Sequence, residues 1–264
     1  MKALLTASRT LLALAICLTT VVAPRPCLGA TSSGSDSAAV LTRADAWFGL
    51  GLGVVVVGAA GFDRTFEVER RGSGTRESRN LATIARQFGE PINLGAALFL
   101  GYVATRALHR PDWSGSVVRV GGSIVVAGAA TEAIKLAVGR YRPFESQHDS
   151  HRFAPFSGHD SFPSGHVTLA FAAAGAVDHE TSARWVPWVV YPLAVTVCWS
   201  RVRDDEHWTS DVVAGAAIGY WFSVKTDRVL RRHRVGEPGG VLGGASAFLL
   251  PERDGVRGGL LAAF

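Results

Sequence analysis

Ser200-Arg201-Val202-Arg203-Asp204-Asp205-Glu206-His207-Trp208-Thr209-Ser210-Asp211 is the stretch around which the rest of the chain reads. It places a histidine, His207, four residues before a carboxylate, Asp211, at the mouth of the apolar run Val212 to Phe222. If that run is a helix, positions i and i+4 share one face. Asp211 can then accept a hydrogen bond from one ring nitrogen of His207, which fixes the tautomer and frees the other nitrogen as nucleophile or base. Arg201, just upstream, is a planar fork donor suited to an oxyanion. Taken alone, the same spacing also describes an ordinary structural contact.

The bulk properties narrow the field. A length of 264 residues suits one sizeable domain. The composition is apolar and rich in Gly and Ala, which excludes a disordered chain or a fibrous repeat. The formal net charge of +5 is mild. Without interleaved aromatic and basic patches it gives no reason to expect nucleic acid, and anionic substrates or a membrane surface are the expected partners. The three cysteines are Cys17, Cys27 and Cys198. Two fall in the N-terminal segment and Cys198 sits alone in an apolar run, so neither a disulfide framework nor a thiolate metal site is expected.

Residues 1–30 read as an export signal, with Lys2 and Arg9 before the apolar centre Leu11 to Val22 and small residues at Leu28-Gly29-Ala30. Residues 31–44 read as a flexible N-terminus, 45–230 as a helical domain and 231–264 as a Gly-rich tail. Six apolar segments supply the helices: Trp47 to Phe62, Ile92 to Ala107, Val117 to Val138, Val167 to Val177, Trp185 to Trp199 and His207 to about Val224. Gly49, Gly51 and Gly53 lack a preceding strand, so close helix packing accounts for them better than a dinucleotide loop. Asp63 to Glu90 reads as a mixed-charge connection. Inside it Leu81, Ile84, Ala85 and Phe88 fall at i, i+3, i+4 and i+7, a short amphipathic helix. Gly215 and Gly219 offer a small-residue packing face. The basic residues Lys225, Arg228, Arg231, Arg232 and Arg234 complement a helix C-terminus and otherwise read as a solvated tail. Ala247 to Leu250 and Leu260 to Phe264, around Asp254-Gly255, suggest a terminal hairpin.

Two further stretches handle anions. Lys135 and Arg142 are seven apart, two helical turns, so both cations can face one point; Pro143 disfavours helix at Arg142. Pro163-Ser164-Gly165-His166 opens an apolar helix whose free amides point toward an anion, with Gly165 allowing close approach. Ser164 adds a hydroxyl and His166 a proton donor, although a plain N-cap explains part of this pattern. His148, His151 and His159 lie in the polar loop Phe144 to Asp160, but their spacing defines no geometry and no metal site is assigned.

Lys135-x6-Arg142-Pro143, Pro163-Ser164-Gly165-His166 and Ser200-Arg201-x5-His207-x3-Asp211 together resemble the three-part signature of the phosphatidic acid phosphatase type 2 and vanadium haloperoxidase superfamily. The resemblance covers roughly Trp47 to Val224. It implies an all-α fold, a six-helix core bundle with the active site at one end and the Gly-rich extension outside it. It implies His207 as nucleophile through a phosphohistidine, Asp211 orienting it and His166 as general acid and base. Lys135, Arg142, Ser164, Gly165 and Arg201 would hold the phosphoryl oxygens. Such a site meets the spread transition-state charge in advance, with no metal required.

These expectations describe a metal-independent phosphatase acting on phosphomonoesters or pyrophosphates, of lipids or of small phosphoesters, with vanadate as inhibitor. A vanadium-dependent haloperoxidase, with vanadate as cofactor, is the alternative enzyme; relatives of that kind are longer. A non-catalytic membrane scaffold is the third reading, and scaffolds would be expected to lack a motif histidine or arginine. A cationic pocket would lower both histidine pKa values, with Asp211 offsetting this for His207, so a mildly acidic optimum is expected. Asp160, Phe162 and Val167 depart from the second motif usual in soluble secreted acid phosphatases. The expected location is an exported, membrane-associated, outward-facing or periplasmic site. Mean hydropathy is low for a chain made mostly of bilayer helices, so integral insertion stays open.

Overall fold

The computed structural model describes residues 42–71, 75–235, 246–252 and 255–261. The expected export signal and nearly all of the expected flexible N-terminus lie outside them. The described chain forms seven helices: α1 (Arg43–Arg71), α2 (Arg76–Arg86), α3 (Pro91–Ala107), α4 (Pro111–Val138), α5 (Gly165–Glu180), α6 (Pro187–Arg203) and α7 (Thr209–Arg232). A 3-10 turn, Gln87–Gly89, joins α2 to α3. Proline opens α3, α4 and α6, where its missing N–H costs no helical bond. Strands β1 (Ser246–Glu252) and β2 (Gly255–Leu261) pair antiparallel as the expected hairpin.

Each of the six apolar segments lies in a helix, except that Trp185 and Val186 precede α6 and His207 and Trp208 precede α7. Ion pairs show which ends meet. Asp45 near the start of α1 holds Lys225 late in α7, while Asp63 farther along α1 accepts the Ser210 amide at the start of α7. Arg119 early in α4 pairs with Glu180 at the end of α5, and a Cβ on Gly165 would lie 3.2 Å from Lys135 Nζ at the end of α4. The starts of α5 and α7 and the ends of α4 and α6 therefore gather at one end of the molecule.

The core is built where α5, α6 and α7 converge. Val167, Phe171 and Ala174 pack with Ala194, Val197 and Cys198 and with Val212, Val213 and Ala216, and Ala59 of α1 closes the cluster. A second cluster joins Val120, Ile124 and Ala127 of α4 to Ala172 and Ala176 of α5. The Gly215 and Gly219 face is used as expected: a Cβ at Gly219 would fall 2.2 Å from the Thr168 carbonyl oxygen, so α7 touches the backbone of α5.

Several expectations change. Gly49, Gly51 and Gly53 have no neighbouring atom within 4 Å of an added Cβ, so they are not a packing face. Helix α1 packs through Val55, Val56 and Ala59 instead. Asp63 is no connection residue; α1 continues through it and buries its carboxylate. In α2 the buried residues are Ala82 and Ala85, whereas Leu81 and Ile84 are exposed, as is Phe88 in the 3-10 turn that follows. The basic cluster meets the expectation in part: Arg231 and Arg232 close the last turn of α7, and Arg228, Arg231, Arg232 and Arg234 are exposed, Arg231 bridging Asp227 and Glu180, whereas Lys225 is buried on Asp45.

Much apolar surface faces outward. Val54 and Val57 of α1, Leu100 of α3 and Val125 of α4 are all exposed. Within α1, Arg43–Asp63 is long and apolar enough to cross a membrane, as is Trp113–Val138 of α4.

Candidate active site

The gathered helix ends place all three anion-handling stretches together. Lys135 occupies the last turn of α4, after which Gly139 takes a left-handed conformation (φ 58°). A side chain there would collide with the Ala154 carbonyl, so glycine both ends the helix and turns the chain. Arg142 therefore lies beyond α4, not on its face. It still converges with Lys135 on Asp160: Arg142 Nε and Nη2 each lie 2.9 Å from that carboxylate, and Lys135 Nζ lies at 3.8 Å. Arg142 also contacts Glu206, whose carboxylate lies 3.5 Å from Arg201 in the last turn of α6. Three cations thus surround the carboxylates of Asp160 and Glu206.

His207 precedes α7; Trp208 is the N-cap. Its Nδ1 lies 2.8 Å from the carbonyl oxygen of Ser161. A carbonyl only accepts, so the neutral ring carries its proton on Nδ1 and its lone pair on Nε2. Nε2 has no hydrogen-bond partner among the described residues. The shared-helix-face geometry expected for His207 and Asp211 is therefore corrected. Asp211 Oδ2 stands 3.8 Å from Nδ1, while accepting from the Ser161 hydroxyl at 2.6 Å and from the Trp208 amide at 2.9 Å. Asp211 acts on the histidine by charge and through Ser161.

Ser164 is the N-cap of α5, but its hydroxyl makes no capping bond. Its amide donates to the Asp211 carbonyl at 3.1 Å, which ties the second stretch to the third. Ser164 Oγ and Arg201 Nε are buried without a hydrogen-bond partner. Buried polar atoms are nearly always satisfied, and two unsatisfied donors in one cationic site are what an anion would meet. His166 lies one residue into α5, with Nε2 3.0 Å from Glu90 Oε2. The loop histidines do not assemble: His159 stacks on Tyr141, and no group of three His, Cys, Asp or Glu residues able to hold a metal occurs among the described residues.

Both site histidines lie below the ordinary imidazole pKa. Burial is the larger cause for each, not the cations alone. For His207, Asp211 opposes that shift while Arg142 and Arg201 add to it. For His166, Glu90 opposes it while Arg201 and His207 add to it. Burial would raise the Asp160 carboxyl, but Arg142, Lys135 and His207 hold it below the usual carboxylate value.

Sequence reasoning missed Asp63, Glu90, Arg140, Ser161 and Glu206. Arg140 and Glu206 lay inside the motif stretches, and Ser161 two residues before one, so all three could have been flagged by position. Glu90 offered only its place before Pro91.

Residues 116–232 match the model of the PAP2 superfamily. This segment, rather less than half of the chain, is of the PAP2 superfamily. The chain is similar to the lipid A 1-phosphatase of Rhizobium johnstonii, 40% identical over 122 residues, covering 42% of this chain and 46% of that protein. The undecaprenyl-diphosphatase of Sulfolobus acidocaldarius is 35% identical over 103 residues, 38% of this chain and 48% of that one. The lipid A 1-phosphatase of Porphyromonas gingivalis is 31% identical over 121 residues, 42% of this chain and 25% of its own length. The chain spans less than half the length of these relatives. A crystal structure of a transmembrane PAP2-type phosphatidylglycerolphosphate phosphatase from Bacillus subtilis aligns with TM-score 0.49 and 16% identity, over 69% of this chain and 96% of that one.

Proposed function

We propose that the chain is a metal-independent phosphatase of phosphorylated lipids working through a phosphohistidine. The observation that carries this is the pair of buried, unsatisfied donors, Ser164 Oγ and Arg201 Nε, in the site that holds His207 with its Nε2 unpartnered. In the proposed reaction Nε2 of His207 attacks phosphorus, forming a P–N bond as the P–O bond to the leaving group breaks. His166 gives its proton to the leaving oxygen. It then takes a proton from water, which attacks phosphorus and returns the P–N electron pair to His207. Lys135, Arg142 and Arg201, with the Ser164 hydroxyl and the Gly165 amide, hold the charge spread over the phosphoryl oxygens. No metal is needed, because these groups supply the positive charge. Vanadate, a mimic of the five-coordinate phosphoryl group, is an inhibitor in this scheme.

The named relatives act on lipid A and undecaprenyl diphosphate, which supports a lipid phosphate or pyrophosphate as substrate. The outward apolar surface of α1, α3 and α4 supports membrane association. An outward-facing site in the cell envelope belongs to the same proposal, and labelling of an engineered surface cysteine from outside intact cells tests it.

The deciding assay uses the purified full chain in detergent with phosphatidate and a chromogenic phosphomonoester, with EDTA present, beside His207→Ala. The expected result is phosphate release that resists EDTA, is inhibited by vanadate and is absent from the variant. Equal release by the variant would remove the phosphohistidine. Bromide oxidation with vanadate and peroxide, and no phosphate release, would mark a haloperoxidase.

A further inference from the structure

Glu90 has no role in the three-part signature, yet its carboxylate lies 3.0 Å from Nε2 of His166 across 76 residues of chain. The approach is built into the packing. Gly89 precedes it in the turn before α3, and a Cβ at Gly89 would lie 2.4 Å from the His166 carbonyl oxygen and 3.0 Å from Val197 Cγ1. Any side chain at position 89 would push the turn away from α5 and α6, and the carboxylate with it. Glu90 is also the N-cap of α3 but makes no side-chain capping bond, so the carboxylate is committed to the histidine and not to its own helix. Nδ1 of His166 has no hydrogen-bond partner among the described residues.

We infer that Glu90 is a positioning residue for the proposed general acid: it holds the Nε2 proton of His166 and thereby directs the transferable proton to Nδ1. The inference rests on the phosphatase reading above. In the first half-reaction Nδ1–H gives its proton to the leaving oxygen as the P–O bond breaks, and the ring becomes neutral with Nε2–H still on Glu90. In the second half Nδ1 takes a proton from the attacking water. Glu90 remains a carboxylate throughout. The charged and titratable groups around His166 are Glu90 from the α3 turn, Arg201 from α6, His207 from the start of α7, and Lys135 at the end of α4, which lies beside Gly165. Glu90 is the anion among them hydrogen-bonded to the ring, so removing it leaves the cations to favour the neutral form.

The test compares wild type, Glu90→Gln, Glu90→Ala and His207→Ala on two substrates. One is an alkyl phosphate, whose poor leaving group needs a proton; the other is a nitrophenyl phosphate, whose leaving group does not. Both Glu90 variants are expected to lose about tenfold or more in kcat on the alkyl ester, with a smaller loss on the aryl ester and little change in KM. The alkaline limb of the alkyl-ester profile is expected to move to lower pH, and the His166 imidazole, followed by NMR, to titrate at lower pH in Glu90→Gln. Equal losses on both esters with an unmoved alkaline limb, or an unmoved His166 titration, would overturn the role while leaving the phosphatase reading intact. Wild type that releases no phosphate from either ester would overturn both. Phosphate release by His207→Ala would overturn the phosphohistidine alone.

Discussion

Arg140 donates to Asp211 inside the protein while its other amino group reaches Asp63 at 2.9 Å, so one guanidinium joins α1 to the carboxylate beside His207. Ser210 completes the link, its amide at 2.9 Å and its hydroxyl at 2.7 Å from Asp63. All three charged side chains are almost sealed from solvent. Removing one partner of such a group leaves an uncompensated buried charge, which costs more than the pair itself contributes.

Arg140→Leu should therefore destabilise the fold by about 3–5 kcal/mol. Arg140→Lys should lose part of the stability, because an ammonium lacks the planar fork that spans two carboxylates. Thermal melts in detergent read both values, and a melting temperature unchanged in Arg140→Leu would refute the structural role.

Asp211→Asn keeps the size of the side chain but replaces an acceptor oxygen with an amide donor, facing Arg140, the Ser161 hydroxyl or the Trp208 amide. Because Ser161 also accepts from His207, the imidazole would lose its alignment and the anion that favours its charged form. A fall in kcat of about a hundredfold or more is expected, with KM changing less. Steady-state kinetics of the purified variant checks it.

Asp160 and Glu206 occupy the cations that the proposed phosphoryl group would use. An incoming phosphate has to compete with them. Asp160→Asn should strengthen inhibition by inorganic phosphate by up to about tenfold, since less negative charge opposes the anion. Weaker inhibition would mean that Asp160 positions Arg142 more than it blocks it.

The pH profile follows from the direction of the histidine shifts. In the proposed reaction His207 attacks as the neutral ring, and its pKa lies below the ordinary imidazole value, so the acid limb of kcat/KM should fall below about pH 6.5. The proposed general acid, His166, would act first in its protonated form, and its pKa is lowered too, so the alkaline limb should also move toward acid. The optimum is expected on the acid side of neutrality. A profile flat from pH 5 to 8 would contradict both assignments.

Gly219→Ala would drive a methyl group against the Thr168 carbonyl, 2.2 Å from the ideal Cβ position. The helices would have to separate, at about 1–3 kcal/mol. Gly51→Ala, with open space around its Cβ, should leave stability unchanged or slightly raised. The contrast between the two melts tests the α5–α7 contact.

The helices were legible because six apolar segments carry their own period and their own stops, such as Pro91 and Pro187 at helix starts. Where an expectation failed, a local pattern had more than one tertiary use. Three glycines in α1 read as a packing face yet lie open, while Gly215 and Gly219 read the same way and are packed. The apolar stripe of α2 read as one side of an amphipathic helix, but of that stripe the structure buries Ala85, beside Ala82, and leaves Leu81 and Ile84 exposed. Small size permits contact without specifying which neighbour arrives.

The sequence by itself determined the seven helices and the three stretches that hold His166, His207 and the cations, because helix period and motif spacing act over a few residues. Only the tertiary structure decided the partners: Glu90 on His166, Ser161 on His207, and Arg140 between Asp63 and Asp211. The chain has 22 acidic residues, and nothing local says which of them a given cation or histidine will meet. That choice is made by burial, since a charge taken from water must find an opposite charge at whatever sequence distance the packed helices bring close.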